Sequence, residues 1–233
     1  MVGPFDPADP ASWPNLPQPF LVHDFGGAQD YSTIMVGGVP PWSRGVVGVN
    51  RIERLPLRMT SAETLAKLVE ADRELGHRAT VIVDASGNSA HAEAVAAAFG
   101  RRCIGVRMTA AHDHALRPQP VPFTAMGKRA VLPVWHLGRT PLFDQLNAAM
   151  ERAEVKVAKS GDWRELAQEM EGLERVVTDA GNIRYVTTSG KHDDLAVSLA
   201  LLTWAATRLP RAATGGPRTS TPRVRPPPPG AWS

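Results

Sequence analysis

Three acidic clusters stand where apolar runs begin or end, and their side chains are the ligands that hard cations prefer. His23-Asp24-Phe25-Gly26-Gly27, with Asp30 just beyond, follows Phe20-Leu21-Val22. Asp84 follows Val81-Ile82-Val83, and the pair Asp193-Asp194 opens the apolar stretch that starts at Leu195. Carboxylates gathered at strand ends and a helix start offer oxygen ligands and negative charge and leave coordination positions open, as Mg²⁺ or Mn²⁺ requires. If the strands ending at Asp24 and Asp84 are parallel neighbours, the two side chains lie about 5 Å apart. Two carboxylates at that spacing repel unless a cation lies between them. Asp193 and Asp194 at a helix N-terminus complete the cluster, and two ions about 4 Å apart would activate water and stabilise a leaving oxygen. Phosphodiester cleavage is the chemistry expected. Each acid taken singly also suits a turn or a helix cap, Asp30 before Tyr31-Ser32 and Asp193 or Asp194 at the last helix included; the joint placement is what points to metal.

The elements that must position these acids can be read from the apolar pattern. Residues 20–24, 32–39 and 46–57 read as three consecutive strands, broken at Gly26-Gly27 and Pro40-Pro41. A helix follows, capped by Ser61, with Leu65, Leu68 and Val69 at helical spacing and Gly76 as its stop. Residues 80–84 form a short apolar strand, 89–99 an alanine-rich helix ended by Gly100, and 102–108 another strand. This βα-βα-β order predicts a parallel portion of sheet. Prolines 118, 120, 122 and 133 mark a loop or hairpin excursion over 109–134. Beyond it, 140–152 reads as an amphipathic helix, 154–158 as a short strand, 163–173 as a helix, 183–186 as an edge strand and 195–209 as an apolar helix. The expected fold is α/β: a mixed sheet of five main strands, three antiparallel and then two parallel, flanked by helices.

Composition bounds the setting. The 233 residues suit one sizeable domain, and 43% hydrophobic with 21% charged content is ordinary for a folded soluble chain. The single cysteine, Cys103, excludes an internal disulfide framework and a cysteine-based zinc site; between Arg102 and Ile104 it reads as a buried thiol. No apolar run approaches the roughly 18 residues of a membrane span, and the proline-rich, acidic residues 1–19 are no signal peptide. The bacterial cytoplasm is the expected compartment. The net charge is +3, but residues 210–233 hold four arginines and no acid, so residues 1–209 carry −1. Basic attraction for nucleic acid must therefore be local. Six of the 21 prolines fall in 1–19 and seven in 210–233. These ends read as a proline-rich leader and a disordered Pro/Arg-rich tail around one domain at 20–209.

The order β-β-β-α-β-α-β with those three acids resembles the ribonuclease H-like nuclease fold. More narrowly, FLVHDFGGAQDYSTIMV, TVIVDASGNSAHAEAVAAAF and GKHDDLAVSLALLTWA resemble the C-terminal nuclease domain of tailed-phage terminase large subunits, over roughly residues 19–208. The acidic pair opening an alanine-rich apolar helix is the most specific of these segments. The resemblance implies a metal-dependent endonuclease that cuts double-stranded DNA during viral genome packaging. It places Asp24, Asp84 and Asp193 in the metal-binding triad, Asp194 and Asp30 as auxiliaries, and two Mg²⁺ or Mn²⁺ ions among them. Terminase large subunits normally carry a packaging ATPase, yet no G-x-x-x-x-G-K-[ST] loop occurs here. A separate motor ATPase, a small terminase subunit or a portal is then the implied partner, or the chain is a truncated or prophage-remnant nuclease. A Holliday-junction resolvase-like nuclease and an inactive docking relic are the alternatives.

Other residues carry weaker signals. The family often has a lysine before the helix at Thr140; Lys128 and Arg139 are the nearest candidates. With Arg129 and Arg101-Arg102 they are candidates for a groove along the DNA backbone. His112-Asp113-His114 reads as a solvated turn rather than a metal site. His23 and His192, each just before a candidate ligand, either tune the cluster or pack. Trp135, Trp163 and Trp204 read as core.

Overall fold

Alternation along two adjacent strands divides the core between two faces of one sheet. The computed structural model describes residues 16, 18–26, 30–40, 45–110, 113–179, 181, 183–187 and 192–209. The strands are β1 (Phe20–Asp24), β2 (Thr33–Gly38), β3 (Val47–Arg54), β4 (Thr80–Asp84), β5 (Cys103–Thr109), β6 (Gln119–Ala125), β7 (Lys128–Gly138), β8 (Val155–Val157), β9 (Leu173–Val177) and β10 (Ile183–Thr187). The helices are α1 (Ser61–Glu74), α2 (Ser89–Phe99), α3 (Arg139–Glu151), α4 (Trp163–Glu171) and α5 (Asp194–Arg208).

Eight strands form one mixed sheet in the order β6-β7-β5-β4-β1-β2-β3-β8, and β9 pairs with β10 separately. The strands β1, β2 and β3 are antiparallel, while β1, β4, β5 and β7 run parallel. The mixed α/β fold is the one expected, but five strands were too few. Of the loop or hairpin expected over 109–134, a hairpin of β6 and β7 is what forms; Pro120 and Pro122 are tolerated because β6 is an edge strand. β8 adds a parallel edge to β3. The helix expected over 163–173 stops at Glu171, and Leu173 instead opens β9, a strand the sequence reading lacked.

Phe20, Val22 and Ile82 face α3, α4 and α5, whereas Leu21, Val81 and Val83 face α1 and α2. Cys103 and Trp204 are buried as expected. α5 is the central helix of its layer, with twelve residues from Leu195 to Ala206 buried. The cap of α1 is Thr60 rather than Ser61, which is its first residue: the Thr60 hydroxyl accepts from Glu63 N–H and Glu63 accepts from Thr60 N–H, a reciprocal cap. Asn88 caps α2 by accepting from His91 N–H. No helix among the described residues is long and apolar enough to cross a membrane.

Candidate metal centre

The register of β1 and β4 sets Asp24 beside Asp84. His23 pairs with Val83 in the parallel ladder, so the next residues, both aspartates, end their strands side by side. Parity sends them to one face: Asp24 follows Phe20 and Val22, Asp84 follows Ile82, and that face is the one α5 covers. Asp24 is also level with Thr33 on β2, whose hydroxyl lies 2.6 Å from Ser198 Oγ on α5. Asp194 lies four residues before Ser198, one turn further out along the same helix face. It therefore projects past the sheet edge toward the other two acids.

Asp24, Asp84, Asp194 and Asp30 line one cavity of about 320 Å³. Burial, then Asp84, Asp194 and Asp193, push the Asp24 carboxyl well above the usual range. Burial also raises Asp84, against the opposing pull of Ser86, Arg139 and Arg107. Ser86 N–H and hydroxyl both donate to Asp84 Oδ1, at 2.8 and 2.5 Å, which fixes the carboxylate plane. Asp194 is pushed up to about 6, chiefly by burial and then by Glu169. Two charges about 5 Å apart at an effective dielectric near 20 repel by roughly 3 kcal/mol. These acids hold protons or a cation.

Asp194 Oδ2 is buried with no hydrogen-bond partner. Among the described residues no three His, Cys, Asp or Glu side chains already close around a single ion position. An open, mutually repelling set with an orphaned buried oxygen is a donor set that divalent cations fit, and the oxygen ligands suit Mg²⁺ or Mn²⁺.

The remaining expected residues fall in different places. Asp193 sits at the N-cap of α5 but makes no cap bond; its carboxylate accepts instead from Arg139 Nη2. Asp30 stands at the rim with His192, whose Nδ1 is 4.0 Å from Asp30 and 3.8 Å from Asp194. Arg139 opens α3 at the same edge. Lys128 and Arg129 are not brought to the acids. Asp84 is level with Trp135 across β5, and Lys128 lies seven residues back along β7, about 23 Å away. Arg102 is committed to Asp72 on α1 at 2.6 and 2.8 Å. His112 lies outside the described residues.

Two features escaped the sequence reading. Glu169 on α4 is buried, pairs with Arg54, and accepts from Ala196 N–H at 2.9 Å, so it caps α5 from another helix. Behind Asp24, the other face of β1 carries a chain of neutral groups. His23 Nδ1 lies 2.7 Å from the Thr33 carbonyl, which can only accept, so that nitrogen carries the proton. His23 Nε2 must then accept from His91 Nε2–H at 2.8 Å, and His91 Nδ1 from the Ser61 hydroxyl at 2.6 Å. Burial pushes His23 down to about 3 and His91 to about 4. Phe25 stacks on His91 at 4.1 Å between ring centroids.

Adjacent parallel strands and a covering helix thus bring carboxylates to one edge of a mixed α/β sheet. No family model and no curated protein matches the sequence. Solved structures do. The large terminase nuclease from thermophilic phage G20c with bound magnesium is 23% identical over 79% of each chain, with a TM-score of 0.54. The Thermus phage P74-26 large terminase nuclease domain is 21% identical over 80% of this chain and 78% of that one, TM-score 0.51. The human cytomegalovirus terminase nuclease domain, manganese-soaked and inhibitor-bound, is 11% identical over 88% and 90%, TM-score 0.52. The chain has the fold of the large terminase nuclease domains.

Proposed function

We propose that this chain is a nuclease that cleaves double-stranded DNA with divalent metal, as a terminase nuclease would during viral genome packaging. The observation that carries the reading is the convergence of Asp24, Asp84 and Asp194 on one cavity, where burial outweighs the pull of Arg139, Arg107 and His192 and raises all three carboxyls. Asp24 and Asp84 would hold a cation between them. Asp194 completes the set and, with Asp193 and Asp30 flanking, provides for a second ion. Bound Mg²⁺ or Mn²⁺ supplies Lewis acidity at phosphoryl oxygens and lowers the pKa of water. Ser86 keeps the Asp84 carboxylate aimed, and Arg139, paired with Asp193 at the same edge, would offer positive charge to a phosphate oxygen. The bound magnesium of the G20c nuclease and the manganese soaked into the cytomegalovirus domain agree with the metal choice. The partners on this reading are a packaging ATPase on another chain, a small terminase subunit or a portal, in the cytoplasm of a bacterial host.

Supercoiled plasmid with Mn²⁺ tests it. The wild type should convert the plasmid to nicked and linear forms, and Asp24→Asn and Asp84→Asn should each abolish conversion while keeping a cooperative unfolding transition. A wild type inert in both Mg²⁺ and Mn²⁺ would overturn the proposal.

A further inference from the structure

One edge of the sheet carries two cavities of nearly equal size and opposite character. The first, about 320 Å³, is walled by four aspartates with no basic residue. The second, about 330 Å³, lies between the end of β5, the start of α3 and β10; it is lined by Arg139, Thr140 and Arg184 among others, with no acidic residue. The ion pair of Arg139 with Asp193 stands at their boundary, and Arg139 also acts on Asp84.

We propose that this second cavity binds a backbone phosphate of the DNA strand, next to the phosphodiester at the carboxylates. The proposal rests on the nuclease reading above and names how that site seats its substrate. A polyanion with one phosphate at a metal-loaded acidic pocket is seated by a cationic group at the neighbouring phosphate. A cavity of this volume holds roughly ten waters at about 30 Å³ each, enough for a phosphodiester and part of its hydration. A guanidinium has five donors, and Asp193 occupies only the Nη2 end of Arg139, which leaves others for phosphate oxygens. The Arg184 side chain makes no ion pair or hydrogen bond among the described residues.

The cavity is built before any ligand arrives. Thr140 Oγ1 donates to the Ile183 carbonyl at 3.0 Å, Tyr185 hydroxyl donates to Asp144 at 2.7 Å, and Asn147 donates to that hydroxyl at 2.9 Å. These bonds dock β10 on α3, so the arginine on one element and that on the other keep a fixed relation. The backbone is thus placed in advance, and binding has to order only the exposed Arg184 side chain.

Fluorescence anisotropy of a labelled duplex with the full chain, in Ca²⁺ and over a salt series, is the test. Arg184→Ala should lower the slope of log affinity against log salt by about 1 and weaken binding about tenfold. Ala110→Glu, which puts a carboxylate at the cavity lining and removes no cation, should weaken it comparably. Both variants should bind Mn²⁺ as the wild type does. Unchanged affinity in both overturns the phosphate site and leaves the plasmid assay untouched. Loss in Arg184→Ala alone also overturns it, because the cation would then act outside the cavity. Loss in both from a wild type that never cuts plasmid keeps the phosphate site and removes the nuclease.

Discussion

Asp194 opens α5 with one carboxylate oxygen buried and without a hydrogen bond, His192 Nδ1 standing 3.8 Å off, and its pKa is pushed up to about 6. A cation taking that oxygen must displace whatever proton is there. The sign follows: Mn²⁺ affinity rises with pH through about 6 and, for this one group, is about tenfold weaker near pH 5 than near pH 7. Calorimetry in two buffers of different ionisation enthalpy would count the protons released; none released, with flat affinity, would contradict this account. Asp24 and Asp84 were legible in the sequence because each ends an apolar run, and apolar runs mark strand ends well. The resemblance put Asp193 in the triad and Asp194 beside it as an auxiliary, a ranking that residue types alone do not decide. Neighbouring positions on a helix differ by about 100° in direction, and only the docked helix shows that Asp194 lines the cavity while Asp193 turns to Arg139. Glu169 was hidden for a similar reason: within a polar helix nothing local marks the glutamate that reaches another helix.

At the scale of elements, two contacts hold the acid-bearing strands in place. The Ser61–His91–His23–Thr33 chain ties α1 and α2 to β1 and β2 directly behind Asp24. His91→Phe keeps a ring against Phe25 but leaves His23 Nε2 buried without a donor, at a cost of about 1–3 kcal/mol, readable by urea unfolding near neutral pH. His91 titrates at 6.5 when unfolded and about 4 when folded. Its neutral form stabilises fully above 6.5, and that stability is lost as pH falls toward 4. The variant lacks this loss, so its deficit should shrink over that range; a constant deficit would contradict the assignment. On the other face, a Cβ at Gly37 would meet the Gly48 carbonyl and stand 2.7 Å from Leu202 Cδ2 of α5. Gly37→Ala should cost about 1–3 kcal/mol, and an unchanged thermal midpoint would show that α5 sits more loosely than described. The elements nearest the acids were the most legible: β4 and α2 have the bounds their residues imply, since an apolar run and an alanine-rich stretch between Asn88 and Gly100 are strong local signals. β9 was not, because Leu-Glu-Arg-Val-Val follows α4 after only Gly172 and pairs solely with β10. Register also decides what spacing cannot: Lys128 and Arg129 are near Arg139 in sequence and far from it along β7.

Taken whole, the molecule separates its tasks by sheet face and sheet edge. One core under α1 and α2 holds the strands, the other under α3, α4 and α5 delivers Asp194, and the edge between them gathers acids beside a basic cavity. Residues 1–209 carry −1 in total, so on the proposed reading any attraction of this part for DNA comes from the arrangement at that edge rather than from its bulk charge. The central claim is that Asp24, Asp84 and Asp194 share divalent cations. Anomalous scattering from crystals soaked in Mn²⁺ measures it directly. The account predicts two peaks about 4 Å apart, one bridging Asp24 and Asp84 and the other at Asp194. Density with no peak within ligand distance of these carboxylates, at saturating Mn²⁺, would contradict it.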